Sequence, residues 1–214
     1  MRRPRAPPPR TAPVHRSIHA VGAAPQAPGN SQQSRLPSAG HSPRRGLAAH
    51  RDIRMPDLST ADLYDRHGDA LRVCQPRLHD FGGRIAFAGE AVTVKCFEDN
   101  TRIKEALAQP GAGRVLVADC GGSLRCAMLG DLIAASAVEH GWAGVVLSGC
   151  VRDTAALVRM DLGVKALAST PRKSTRRGEG QRDLPVEIAG VSVTPGDWVY
   201  ADADGVLIAP QRLI

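Results

Sequence analysis

The chain has 214 residues, 43% of them hydrophobic, and a formal net charge of +7. That length allows one ordinary domain with room for a core, and no apolar run approaches the roughly 18 residues of a membrane helix, which excludes a helical span. Residues 1–54 hold ten Arg, no Lys and a single acid, Asp52, so that segment carries +9 and residues 55–214 about −2, and a nucleic-acid reading based on net charge is misplaced.

The N-terminal segment also holds nine of the 16 Pro. With almost no apolar periodicity it is expected to be a disordered Arg/Pro-rich extension over residues 1–54, ahead of one domain over residues 55–214. Three readings compete for it. An organelle transit peptide needs an amphipathic helix, which Pro7, Pro8 and Pro9 oppose. An RNA-binding arm would want aromatic residues for stacking, and the segment has none. The preferred reading takes Met55 as the working start, because globular composition begins there abruptly.

In the domain, Ser59 to Asp62 ahead of LYDRHGDAL resembles a capping box opening a short helix. RIAFAG and AVTVKCF read as two strands around Gly89-Glu90. TRIKEALAQ has helical spacing and is stopped by Pro110-Gly111. Then come a strand over 114–119, a glycine turn, a helix over about 131–140, a strand over 143–149, a short helix TAALVRM and a strand VKALAST. The strands are near-continuous aliphatic runs, as in a parallel sheet. PRKSTRRGEGQRD (171–183) is a basic, glycine-broken loop, and PVEIAGVSV and WVYADADGVLIAP read as hairpins turning at Ala-Gly and Asp-Gly. The expected fold is α/β: a compact, layered α/β/β domain of the swivelling type around a central βαβ unit.

The cysteines, 74, 96, 120, 126 and 150, are odd in number and form no CxxC pair, which fits reduced thiols in a cytoplasmic protein. Cys120 and Cys150, near the glycine turns, are expected to be small buried hydrophobes rather than reactive thiols. Asp202 and Asp204 lack the later glutamate of a calcium loop and read as turn acids. Gly121-Gly122 lacks the rest of a dinucleotide fingerprint. His140 ends its helix as a dipole partner, and Arg125 reads as an exposed loop arginine or a second carboxylate contact.

GDLIAASAVEHGWAGVVLSGCVRD (130–153) carries its notable charges at its two ends. A helix descending roughly 15 Å and a strand climbing back roughly 23 Å are spans of the same order, so Arg152 and Asp153 are expected to return to the rim where Gly130 and Asp131 lie. Ligands of open α/β sheets bind at that rim. Free amides at the helix start attract an anion, Arg152 can grip a carboxylate through two hydrogen bonds, Asp153 offers hard oxygen to Mg²⁺ or Mn²⁺, and Asp131 can hold a metal water. The competing reading is that both aspartates merely cap helices and Arg152 pairs with one of them.

The stretch VLVADCGGSLRCAMLGDLIAASAVEHGWAGVVLSGCVRD, with PVEIAGVSVTPGDWVYADADGVLIAP, resembles the RraA-like family that contains 4-hydroxy-4-methyl-2-oxoglutarate aldolase and the regulator of ribonuclease E activity. The resemblance spans nearly all of residues 56–210, and its most specific element is an Asp, twenty intervening residues, then Arg-Asp, met here by Asp131, Arg152 and Asp153. It implies substrate binding at Gly130, Asp131, Leu132, Ile133 and Arg152, a divalent metal on Asp153, and a homotrimer. Members that act only as ribonuclease regulators lose the acid after the Arg, which this chain keeps. Longer aldolases of the family carry a C-terminal extension bringing a further acid to the neighbouring subunit's site. This chain stops at Ile214, a departure that bears on rate and preferred substrate more than on reaction class.

The expected activity is that of a metal-dependent class II pyruvate aldolase, a carbon–carbon lyase acting on a small 2-oxo acid, with oxaloacetate decarboxylation at the same site. Arg152 and Asp131 are its expected catalytic residues. The alternative is a non-catalytic regulator of ribonuclease E that uses the basic loop as its contact surface.

Overall fold

The computed structural model describes residues 58–214; the expectations for residues 1–54 and for Met55 lie outside them. The described residues open on α1 (Thr60–His67), whose N-cap Ser59 accepts a hydrogen bond from Asp62 N at 3.1 Å, the Ser half of the expected capping box. Two-residue strands β1 (Arg72–Val73) and β2 (His79–Asp80) precede the long β3 (Phe87–Lys95). There follow α2 (Thr101–Leu107), β4 (Val115–Asp119), β5 (Ala127–Leu129), α3 (Asp131–Glu139), β6 (Gly144–Val151), α4 (Thr154–Leu157) and β7 (Gly163–Ser169). The last part holds β8 (Gln181–Arg182), β9 (Val186–Ile188), β10 (Val191–Val193), β11 (Trp198–Ala201) and β12 (Val206–Ala209).

Strands β3, β4, β6 and β7 pair in that order, all parallel, through the helical crossovers α2, α3 and α4. The sequence divides β3 in two at Gly89-Glu90, and the structure corrects this to one strand with two sets of partners. Phe87–Glu90 pair antiparallel with β11, while Ala91–Lys95 pair parallel with β4. Gly89-Glu90 thus marks the end of one pairing, with no turn. Around that pivot β1, β12 and β11 form an antiparallel extension, and β9–β10 make a separate hairpin. The hairpin turns at Ala189 and Gly190, both at positive φ (46° and 79°), as a tight two-residue turn requires.

The layers follow from strand alternation. Leu116 and Ala118 of β4 and Val145 and Leu147 of β6 face a core shared with Ile103, Ala106 and Leu107 of α2 and Ile133, Ala134 and Ala137 of α3. Val115, Val117 and Val146 face the opposite core with Val186, Ile188, Val191, Val193, Val199 and Ile208. The parallel strands are buried on both faces, so their aliphatic runs are nearly unbroken, and each fully buried Val or Leu contributes roughly 2 kcal/mol of transfer free energy. Helices, parallel sheet and antiparallel β layer make the expected α/β/β arrangement. A third cluster seats Leu63 of α1 against Tyr200 and Leu207. Among the described residues no helix is long and apolar enough to cross a membrane.

Candidate active site

The site forms where α3 begins and β6 ends. Strand β5 pairs parallel with β6, and Arg152 N donates to Leu129 O at 2.9 Å, so the residue before Gly130 is fastened to the residue after β6. Strand β6 runs to Val151, two residues beyond the expected end, and delivers Arg152 directly to the rim. Asp153 then adopts a left-handed conformation, φ 56° and ψ 37°, which Asp tolerates better than most non-glycine residues. That turn brings its carboxylate back toward α3. Asp153 Oδ2 accepts from Asp131 N at 3.3 Å and lies 3.1 Å from Arg152 Nε. The two charged ends of segment 130–153 therefore meet.

The competing capping reading accounts for part of this geometry and leaves part over. Asp153 makes no side-chain cap on its own helix α4 and instead reaches the first amide of α3. Leu132 N donates to the Asp131 carboxylate at 2.7 Å, so of the first three α3 amides only Ile133 N has no partner among the described residues. Arg152 spends Nε on Asp153, while its two terminal nitrogens carry no hydrogen bond from the described residues. A guanidinium with its terminal fork unspent beside an open helix amide is arranged for a carboxylate ligand.

A cleft of about 670 Å³ opens here, lined by Gly130, Asp131, Leu132, Ile133 and Arg152 on one side. The other wall is Asn100, Ala127 and the segment Lys173–Arg177. Asp153, with its side chain 37% exposed, is not itself among the lining residues but follows Arg152 and contacts Asp131, which are. The sequence marks 171–183 only as a basic, glycine-broken loop, a contact surface in the regulator alternative, and gives Asn100 no role in the site. The available signal was positional: the basic run RKSTRR follows β7, whose C-terminal end lies on the same rim as Arg152. Asn100 Oδ1 and Ser174 Oγ are buried without a hydrogen-bond partner among the described residues. Unsatisfied buried polar atoms beside a cleft are a common mark of a binding site.

Other candidates fall elsewhere. Arg125 does not line the cleft; its Nε bonds Glu98 Oε1 at 2.6 Å and its guanidinium sits 5.6 Å from the Phe97 ring centroid. Hydrogen bonds from Arg125 and from the Ser123 hydroxyl hold the Glu98 carboxyl below the usual range. His140 ends α3 with Nδ1 2.8 Å from Ser136 O, a structural position. Asp202 caps its own turn and receives Thr60 N and Oγ1 at 2.6 and 2.7 Å.

For a metal, the donor set is small. Among the described residues no three His, Cys, Asp or Glu side chains converge. Asp153 Oδ1 accepts no hydrogen bond from the described residues, and Asp131 keeps its second oxygen unspent. One or two carboxylate oxygens with solvent access fit Mg²⁺ or Mn²⁺, which retain several waters.

The sequence profile of the RraA-like family, described as Aldolase/RraA, matches residues 60–208. A protein of Alkalilimnicola ehrlichii provisionally named 4-hydroxy-4-methyl-2-oxoglutarate aldolase is 55% identical over 157 residues, covering 73% of this chain and 98% of the relative. A Pseudomonas syringae pv. tomato protein with the same provisional name is 53% identical, covering 72% and 95%. Among solved structures, the RNA-processing inhibitor RraA from Thermus thermophilis superposes with a TM-score of 0.71 at 44% identity, covering 74% of this chain and 96% of that one. A structure from Geobacillus kaustophilus described as an S-adenosylmethionine:2-dimethylmenaquinone methyltransferase gives 0.70 at 46% identity, covering 73% and 97%. These names differ in function while the fold is shared, so function has to be argued from the site. The chain belongs to the RraA-like family.

Proposed function

We propose that the chain is a divalent-metal-dependent, class II pyruvate aldolase that cleaves 4-hydroxy-4-methyl-2-oxoglutarate and also decarboxylates oxaloacetate. The observation that carries this reading is the convergence of Asp131, Arg152 and Asp153 on Gly130, with the Arg152 fork and the Ile133 amide unspent beside the cleft. The provisional aldolase names of relatives at about half identity support the reaction class.

In this reading the Arg152 fork and Ile133 N bind the C1 carboxylate of the 2-oxo acid, fixing the scissile C3–C4 bond over the site. Asp153, with Asp131 beside it, would hold a divalent cation, which would supply Lewis acidity to the oxygen that gains charge. Asp131, acting through a held water, takes the proton of the C4 hydroxyl. The C3–C4 bond then breaks, its electron pair moves onto the three-carbon 2-oxo fragment, and C4 leaves as the keto carbon of one pyruvate. The remaining enolate is protonated at C3 to the second pyruvate. Loss of CO₂ from oxaloacetate leaves the same enolate, so one arrangement of residues serves both reactions. Arg152, bridging to Asp153, stabilises charge that develops only as the bond breaks.

The proposal extends to a cytoplasmic protein that assembles as a homotrimer, the assembly being supported by exposed apolar side chains, Leu132 of α3 at 76% and Val158, just after α4, at 58%. The test of function is a lactate-dehydrogenase-coupled assay for pyruvate, from both acids, with Mg²⁺ and with EDTA. Turnover that EDTA abolishes is expected. Silence under all conditions, beside measurable inhibition of ribonuclease E, would transfer the chain to the regulators.

A further inference from the structure

The cationic wall of the cleft is held in place by a residue that does not line it. Residues 58–214 carry 18 Lys and Arg against 19 Asp and Glu, yet the cleft is lined by Arg152, Lys173, Arg176 and Arg177 and by one acid, Asp131. A single guanidinium suffices for the C1 carboxylate. Three further cations in a near-neutral domain mark a place for a second negative group.

Those cations lie on a loop that makes no long strand and owes its course to Glu98–Thr101. Thr175 donates through N and Oγ1 to Glu98 O at 2.9 and 2.8 Å, Asn100 N donates to Thr175 O at 3.3 Å, and Gly178 N donates to Thr101 Oγ1 at 3.2 Å. At the centre is Asp99, with no solvent exposure, whose carboxylate takes Thr101 N at 2.8 Å through Oδ1 and Arg177 N through Oδ2. Burial alone would raise its pKa, but hydrogen bonds from Thr101 and the backbone of Arg177 and Glu179 outweigh that and hold it below the ordinary range. The buried charge is thus stabilised by the amides of the loop it fastens. Glu98, the residue before it, is held at a positive φ of 55°, which turns the chain so that Asp99 points under the loop while Asn100 lines the cleft.

We propose that Asp99 is a positioning residue, acting through the Arg177 backbone to hold Lys173, Arg176 and Arg177 against the cleft and so select 2-oxo acids that carry a second carboxylate. This rests on the aldolase reading, since it presumes that Arg152 takes the first carboxylate. Asp99→Asn replaces one acceptor with an N–H₂ group facing amide donors and releases the loop.

The test compares binding of 2-oxoglutarate and pyruvate by calorimetry, in Mg²⁺, for the full chain and for Asp99→Asn. The expected result is that 2-oxoglutarate weakens about tenfold while pyruvate changes less than twofold, the scale of a lost charge-assisted contact. Equal weakening of both acids, or none, overturns the assignment. A wild-type chain that binds neither acid overturns the aldolase reading and this inference with it, whereas wild-type selectivity that survives in the variant overturns only the inference. A measurement on the wild type alone guards against a variant that fails to fold: hydrogen exchange should show the Arg177 amide protected at least as strongly as those of Thr175 and Gly178, which bond Glu98 and Thr101. Fast exchange there overturns the latch. The double variant Arg176→Gln/Arg177→Gln keeps that backbone bond and should lose the preference for the diacid with the Arg177 amide still protected; a retained preference overturns the role of the wall.

Discussion

Gly130 and Asp153 lie so close that a Cβ at position 130 would stand 2.7 Å from Asp153 Oδ2, and 3.0 Å from Arg152 Nε. The backbone of Gly130, at φ −138°, is one that any residue adopts, so the demand for glycine there comes from the approach of these side chains and not from strain. Gly130→Ala should therefore leave the fold intact and push Arg152 and Asp153 apart from α3. Displacing reacting groups by about 1 Å commonly costs on the order of 100-fold in rate. Steady-state assay beside thermal unfolding checks this: activity should fall by about that factor with a Tm shift of no more than about 3 °C.

Arg152→Lys removes the planar fork but keeps the positive charge. The Nε that meets Asp153 Oδ2 at 3.1 Å and the terminal pair facing the cleft cannot both be copied by one ammonium group. The expected outcome is a KM for oxaloacetate raised roughly tenfold or more and a lowered kcat, because the bridge to Asp153 is lost as well. Asp153→Ala should abolish EDTA-sensitive pyruvate release. Retention of wild-type decarboxylation by that variant would refute the metal assignment.

Much of this was legible in the chain itself, for identifiable reasons. The α3–β6 unit could be placed because a nine-residue helix and an eight-residue strand have fixed rises, so their far ends had to meet. The Ala189-Gly190 and Asp202–Gly205 turns carry local turn chemistry that needs no tertiary information. Strands β1, β2, β5 and β8, of two or three residues, were not legible, because such segments exist only through their partners. The same holds for the far wall of the cleft. Nothing in RKSTRR says that its backbone is fixed by Glu98 and Asp99, 77 and 78 residues earlier; that is a long-range hydrogen-bonding fact. The continuity of β3 was hidden because one strand changes partners and pairing type at its midpoint.

Acid should loosen the domain through its buried aspartates. Asp99 and Asp202 both have pKa values held below the ordinary range: burial raises each, and hydrogen bonds, with Thr101 and the Arg177 backbone for Asp99 and with Thr60 and the turn amides for Asp202, outweigh it. A group whose folded pKa is depressed contributes stability that is complete above its unfolded pKa, about 4, and is lost as pH falls through the folded value. Unfolding free energy should therefore be flat in this respect above about pH 5 and decline below pH 4. Asp202→Asn leaves donors of Thr60 and the turn poorly matched, and should cost about 1–3 kcal/mol at pH 7 while flattening the acid limb. Urea titrations at several pH values would show it; an unchanged acid limb in that variant would refute the assignment.

The five cysteines offer a check on the packing that needs no substrate. All are free and buried, and residues 1–57 contain none, so the described residues hold every thiol of the chain. Burial pushes the Cys74 thiol up to about 12, and burial also raises Cys126 and Cys150. Cys120 is raised by its hydrogen bond with Cys96, whose sulfur is 4.0 Å away, and by complete burial. Only the thiolate attacks a disulfide reagent, and a thiol with a pKa near 12 is about one part in ten thousand ionised at pH 8. In the native protein a coloured aromatic disulfide should therefore react with Cys74 and Cys120 only as fast as the domain opens, and in denaturant with all five thiols at once. Rapid native labelling at Cys74 or Cys120, located by peptide mapping, would show that the β-layer core or the rim beside the glycine turn is open in solution.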